Sequence, residues 1–84
     1  MKAFKTETTL ILPKRDGNPV QMTSVKFWDT FAESKSEIFE TLLGLSDKLS
    51  DIDLDWLPPD IDGCMLRVSA VAPFAEFMGA VYEA

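Results

Sequence analysis

Carboxylates are the residues in this chain whose type and spacing could do chemistry. Glu33, Glu37, Glu40, Asp47 and Asp51 recur at steps of three, four and seven, and at about 100° per residue this gathers them on one side of a helix. Asp53, Asp55, Asp60 and Asp62 follow at once, so nine acids lie within thirty residues, against Lys35 and Lys48. Three kinds of chemistry use such a set. Paired carboxylates can divide acid and base roles, but they need a concave, partly apolar pocket, which convex acidic faces on a small domain do not offer. Asp51, Asp53 and Asp55, with Asp62 at the twelfth place, have the spacing of a calcium loop. Trp56, however, stands where that loop needs glycine, its bidentate Glu is missing, and Pro58 and Pro59 replace flexible ligands. The third use is electrostatic: an ordered array of negative charge offered to a basic surface.

Other catalytic machinery is missing. The chain has no histidine, and Ser46, Ser50 and Ser69 have no recognisable base, so nucleophilic catalysis lacks its parts. Cys64 is the single cysteine, which excludes an internal disulfide and a Cys/His zinc site. Lys14 and Arg15 before Asp16 and Gly17 could grip a phosphate, but no glycine-rich loop precedes a helix there; a hairpin turn is expected. No enzyme activity, cofactor or metal is expected.

The formal charge of −6 is unevenly spread: residues 1–26 carry five basic groups against two acids, and residues 27–84 carry twelve acids against three. An acidic balance disfavours direct binding to nucleic acid, whose affinity comes from neutralising phosphates with Lys and Arg, and favours a basic protein partner. Like charges at i,i+4 cost a few tenths of a kcal/mol per pair, and solubility alone is served by mixed signs. The array is therefore expected to bind a partner through Glu33, Glu37, Glu40, Asp47, Asp51, Asp53 and Asp55, with Trp56 as an exposed aromatic anchor. Trp28 is expected in the core, where sheet meets helix.

These residues must be positioned by one domain spanning residues 1–84, since the chain is too short for two cores. Its hydrophobic fraction of 46% is that of a folded chain. No apolar run nears the ~18 residues of a membrane span, and the first residues lack a secretory signal's apolar core; a soluble, cytoplasmic protein is expected. Residues 3–12 alternate as a strand, and 13–19, with two prolines and Asp16-Gly17, turn the chain into a hairpin. The return strand, 20–28, shifts phase near Thr23 and Ser24, which predicts a bulge, or a strand buried on one side and then the other. From Thr30, Phe31, Ile38, Leu42, Leu45 and Leu49 share the face opposite the acids, Thr30 and Glu33 form a capping box with Ser34 and Glu37 as a second candidate, and the phase persists through Gly44, so one helix is expected to about residue 50.

Residues 51–63 read as an acidic connecting loop, because five aspartates and adjacent prolines suit neither helix nor central strand. Residues 64–71 alternate as a third strand. Pro73 suits a helix start, and Phe74, Phe77, Met78 and Val81 repeat at i, i+3, i+4 and i+7, which predicts a short C-terminal helix. The expectation is an α+β domain, ββαβα, with a three-stranded, mainly antiparallel sheet packed by one long helix.

The function expected from this is a small acidic non-enzymatic binding protein that occupies a basic, nucleic-acid-binding surface of a partner. Phage- and plasmid-encoded inhibitors of host defence, including those of CRISPR effectors, form a functional class of this kind. Such mimicry requires helix stripe and aspartate loop to form one continuous track, joined by Asp47 and Asp51. The alternative is an assembly chaperone or immunity- or antitoxin-type interaction module that uses apolar anchors and sheet edges. An edge strand leaves room for a homodimer.

Overall fold

Alternation over Phe4–Leu12 makes strand β1, and Val20–Trp28 returns beside it as β2. The computed structural model describes residues 2–13, 17–58 and 62–84, so the expected turn at Lys14, Arg15 and Asp16 and the acid at Asp60 lie outside the described residues. Helix α1 covers Phe31–Lys48. Three further strands follow: β3, Asp53–Leu57; β4, Cys64–Ala72; and β5, Ala75–Glu83. The five strands among the described residues join one antiparallel sheet in the order β2-β1-β5-β4-β3.

Helix α1 begins as the capping box predicts: the Glu33 N–H donates to Thr30 Oγ1 at 3.2 Å, and the Thr30 hydroxyl donates to Glu33 Oε1 at 3.0 Å. Ser34 is no second cap, since it is fully buried and its hydroxyl donates to the Phe31 carbonyl at 2.7 Å. The helix runs through Gly44 without a break and ends where the Leu49 N–H donates to Leu45 O at 2.8 Å. Its lower face sets Ile38 and Leu42 against Val68, Ala70, Phe77 and Val81, with Phe4, Phe31, Leu45 and Leu66 around them. At one corner the Trp28 indole N–H donates to Thr6 Oγ1 at 3.1 Å, which satisfies the polar end of a half-buried ring.

The expected three-stranded sheet with two helices is corrected on two elements. Residues 75–83 form no helix; they are β5, the central strand, paired with β1 on one side and β4 on the other. Phe77 and Val81 bury toward α1, whereas Met78 is 48% exposed on the opposite face, so an apolar residue on the uncovered side completed spacings that helical periodicity also fits. Phe74, which that helix needed in its core, is the most exposed large apolar side chain among the described residues, at 78%. Within the expected acidic loop, Asp53–Leu57 is strand β3, because it completes the backbone hydrogen bonds of β4 from Asp53↔Val71 to Leu57↔Arg67.

The bulge expected near Thr23 and Ser24 is also absent, for β2 keeps unbroken register with β1 from Phe4↔Trp28 to Leu12↔Val20. The phase shift has another cause: an edge strand exposed on both faces is not forced to keep its apolar residues on one. A register shift does occur in β4, between Cys64 and Leu66.

Gly79 sets the height of the helix. A Cβ there would lie 3.1 Å from the Phe77 ring and 3.2 Å from Ile38 Cδ1, both in the core. Gly44 has nothing within 4 Å of the same position. Adding side-chain volume should therefore act with opposite sign at the two glycines. Gly44→Ala is expected to stabilise by about 0.5–1 kcal/mol through helix propensity, and Gly79→Val to destabilise by about 1–3 kcal/mol by overpacking, both read from denaturant midpoints. Leu42→Ala should cost about 2–5 kcal/mol, close to the whole stability of a domain this size. A near-native melting temperature for that variant would show that another face is buried.

Candidate functional site

Glu33, Glu37 and Glu40 come together as the helix spacing requires. They line one shallow channel with Trp28, Ala32 and Ser36, on the flank of α1 that faces β2. The field there is partly answered: Lys26 Nζ lies 2.8 Å from Glu37 Oε1, and Glu33 is engaged by its own cap. Asp47 continues the upper surface of the helix and is exposed.

The track breaks at Asp51. This residue is exposed and takes a left-handed φ of 58°, which Asp tolerates better than most side chains, and it turns the chain off the helix and into β3. Trp56 faces the helix side, with its ring centroid 5.3 Å from that of Phe39. Alternation along a strand then sends Asp53 and Asp55 to the other face of the sheet, where they lie with Ser69 and Val71. The structure thus brings together the helix glutamates and separates them from Asp53 and Asp55 by the thickness of the sheet. Among the described residues no three His, Cys, Asp or Glu side chains converge on a point that could hold a metal ion.

The face of the sheet away from α1 carries no covering layer among the described residues. Val25 and Phe27 on edge strand β2, Met78 on central β5 and Val71 on β4 are each about half exposed there, and exposed apolar side chains gathered on one face mark interaction surfaces. Carboxylates border them, since Glu7 pairs with Val25, and Val71 lies between Glu76 and Asp53. A depression of about 250 Å³ on this face is lined by Glu7, Thr9, Arg67, Met78, Ala80 and Tyr82. Lys5 Nζ lies 3.6 Å from Glu7 and 5.4 Å from the Tyr82 ring centroid. Arg67 donates to the Pro58 carbonyl at 3.2 Å.

Tyr82 is held above the ordinary tyrosine range, first by desolvation, then by the nearby Cys64 and Glu7, with Arg67 opposing. Its phenol is protonated at neutral pH and offers a hydrogen bond, not a base. The buried Cys64 thiol lies 3.5 Å from the Leu66 carbonyl. The face combines apolar contact with fixed charges, which suits docking.

Sequence inspection missed this face because two of its five strands were assigned to other structures. A usable signal existed in Asp53-Leu54-Asp55-Trp56, whose strict acid/apolar alternation is that of a strand. No helix among the described residues is long and apolar enough to cross a membrane. No protein-family model, curated protein or solved structure matches the chain.

Tyr82 is the single tyrosine, so tyrosinate absorbance reports it alone. It should titrate above 10.0; Glu7→Gln should lower the value and Arg67→Gln raise it. Because the folded value is the higher one, stability is unaffected by this group below the ordinary range and falls as pH climbs from there through the raised value.

Proposed function

We propose that the chain is a small acidic binding protein without catalytic chemistry, which docks on a basic surface of a protein partner through the uncovered sheet face. The observation that supports this is the half-exposed set Val25, Phe27, Val71 and Met78, bordered by Glu7, Glu76 and Asp53. Glu7 lies between Val25 and Ala80, and Glu76 beside Val71, so apolar contact is interleaved with carboxylates that favour positive charge on the partner. In this form the chain acts as an interaction module of the assembly or immunity type, using anchors in the sheet more than a line of charge.

Nucleic-acid mimicry, as in an inhibitor of a CRISPR effector or another defence complex, draws support from the channel of Glu33, Glu37 and Glu40. Charge density weighs against it. From Glu33 to Asp47 the helix rises about 21 Å at roughly 1.5 Å per residue, a length over which duplex DNA carries about twelve phosphates. The helix offers Glu33, Glu37, Glu40 and Asp47, and Lys26 offsets one of them.

Immobilised variants separate the two functions. Phe27→Lys with Met78→Lys should keep the fold and lose the protein that the wild-type chain retains from a host lysate, while Glu33→Lys, Glu37→Lys and Glu40→Lys together should retain it. The opposite pattern, with retention falling steeply in salt, would favour mimicry; retention unchanged in both variants would sink both surfaces.

A further inference from the structure

Helix α1 is centred over β1 and its neighbours β2 and β5, which leaves a step on its other side, between the helix flank and edge strand β3. Four large apolar side chains line this step: Phe39 is 39% exposed, Leu43 66%, Leu54 50% and Trp56 42%. Phe39 and Leu43 come from the helix, one turn apart. Leu54 and Trp56 come from the helix side of β3, opposite the core residues Ala70 and Val68. The floor of the step ends at an open backbone edge, since β3 is the last strand of the sheet and pairs with β4 alone among the described residues. Asp53 and Asp55 stand on the far face of that same strand.

An occupant must satisfy three surfaces at once. The unpaired N–H and C=O groups of β3 call for an extended backbone. The step calls for apolar side chains on one side of that backbone. Asp53 and Asp55 call for positive charge on the other side, where directly opposed unlike charges favour cross-strand pairing and like charges oppose it. A second copy of this chain fits poorly: β3 against β3 would oppose aspartates to aspartates, and the single basic side chain of β2, Lys26, is already held by Glu37 at 2.8 Å. We infer that β3 and the step beside it form a site for an extended peptide segment of another protein, in which apolar and basic residues alternate, added to the sheet as a sixth strand. The paired length is about five residues, the length of β3 from Asp53 to Leu57, closed at one end by Pro58. This site shares Asp53 with the uncovered face assigned above to docking, but its apolar step lies on the helix side of the sheet, so Phe27 and Met78 test that face alone and Leu43 tests this site alone.

The probe is the labelled peptide acetyl-KVKFKVK-amide, titrated into the full chain and followed by anisotropy, with acetyl-KKVFVKK-amide as an equal-composition control that lacks alternation and acetyl-EVEFEVE-amide as the charge-reversed one. Saturable binding of the first peptide is expected, at least tenfold tighter than either control, with amide shifts confined to residues 53–57 and to Phe39 and Leu43. Leu43→Asp, at an exposed helix position, should weaken it at least tenfold with unchanged circular dichroism. Asp53→Lys with Asp55→Lys should reverse the preference in favour of the glutamate peptide. The double variant Phe27→Lys, Met78→Lys should leave peptide binding intact, so failure of the docking face and failure of this site are distinguishable. Equal affinity for the alternating and non-alternating lysine peptides, no saturable binding, or sedimentation showing that the wild-type chain already closes this edge with a second copy would each overturn the inference.

Discussion

The contact between Ile38 and the backbone of Gly79 governs how the two layers meet. Ile38 is fully buried, and it reaches the central strand because no side chain stands at Gly79 to hold it off. Phe77 and Val81, two residues to either side on the same face, then rise beside it as walls. Interiors are packed too closely for such a fit to be loose, so this notch fixes the lateral position of α1 as well as its height. Every exposed surface of interest follows from that position.

One helix is too narrow for this sheet. Five strands at about 4.8 Å spacing put roughly 19 Å between the outer strand axes, whereas a helix with its side chains is about 10–12 Å across. Seated over β1, β2 and β5, α1 covers one side of one face. Its β2 flank closes with the Lys26–Glu37 ion pair, and its β3 flank stays open with the Phe39 ring tilted against Trp56. The acidic residues are thereby divided between two faces that share no edge at β3.

The helix was legible because its signals are local. Thr30 and Glu33 lie three residues apart, and Ile38, Leu42 and Leu45 repeat with the helical period, so nothing distant had to be known. The first hairpin and Cys64–Ala72 were legible for the same reason. The central strand was not. Met78 stands half exposed on the uncovered face and blurs the period of two, so the spacing of Phe77, Met78 and Val81 fits a helix equally well. What decides the matter is pairing with β1, from Phe4↔Glu83 to Ile11↔Glu76, information that no window of neighbouring residues contains. The separation of Glu33, Glu37 and Glu40 from Asp53 and Asp55 was hidden by the same limit, because it depends on which strand Leu54 and Trp56 lie beside.

The two ends of the described chain are neighbours. Phe4 pairs with Glu83, and the Ala84 N–H donates to the Ala3 carbonyl at 2.9 Å. A short linker could join them, and the chain could be opened instead at the exposed turn of Pro73 and Phe74 between β4 and β5, since surface turns tolerate such cuts. In a circular permutant of that kind β5 would precede β1 as one hairpin, and a pairing that now spans most of the sequence would become local. The β4–β5 hairpin would become the long-range pairing in exchange, so contact order would change little overall while the order of assembly shifts, with β5 and β1 in the middle of the sheet pairing first.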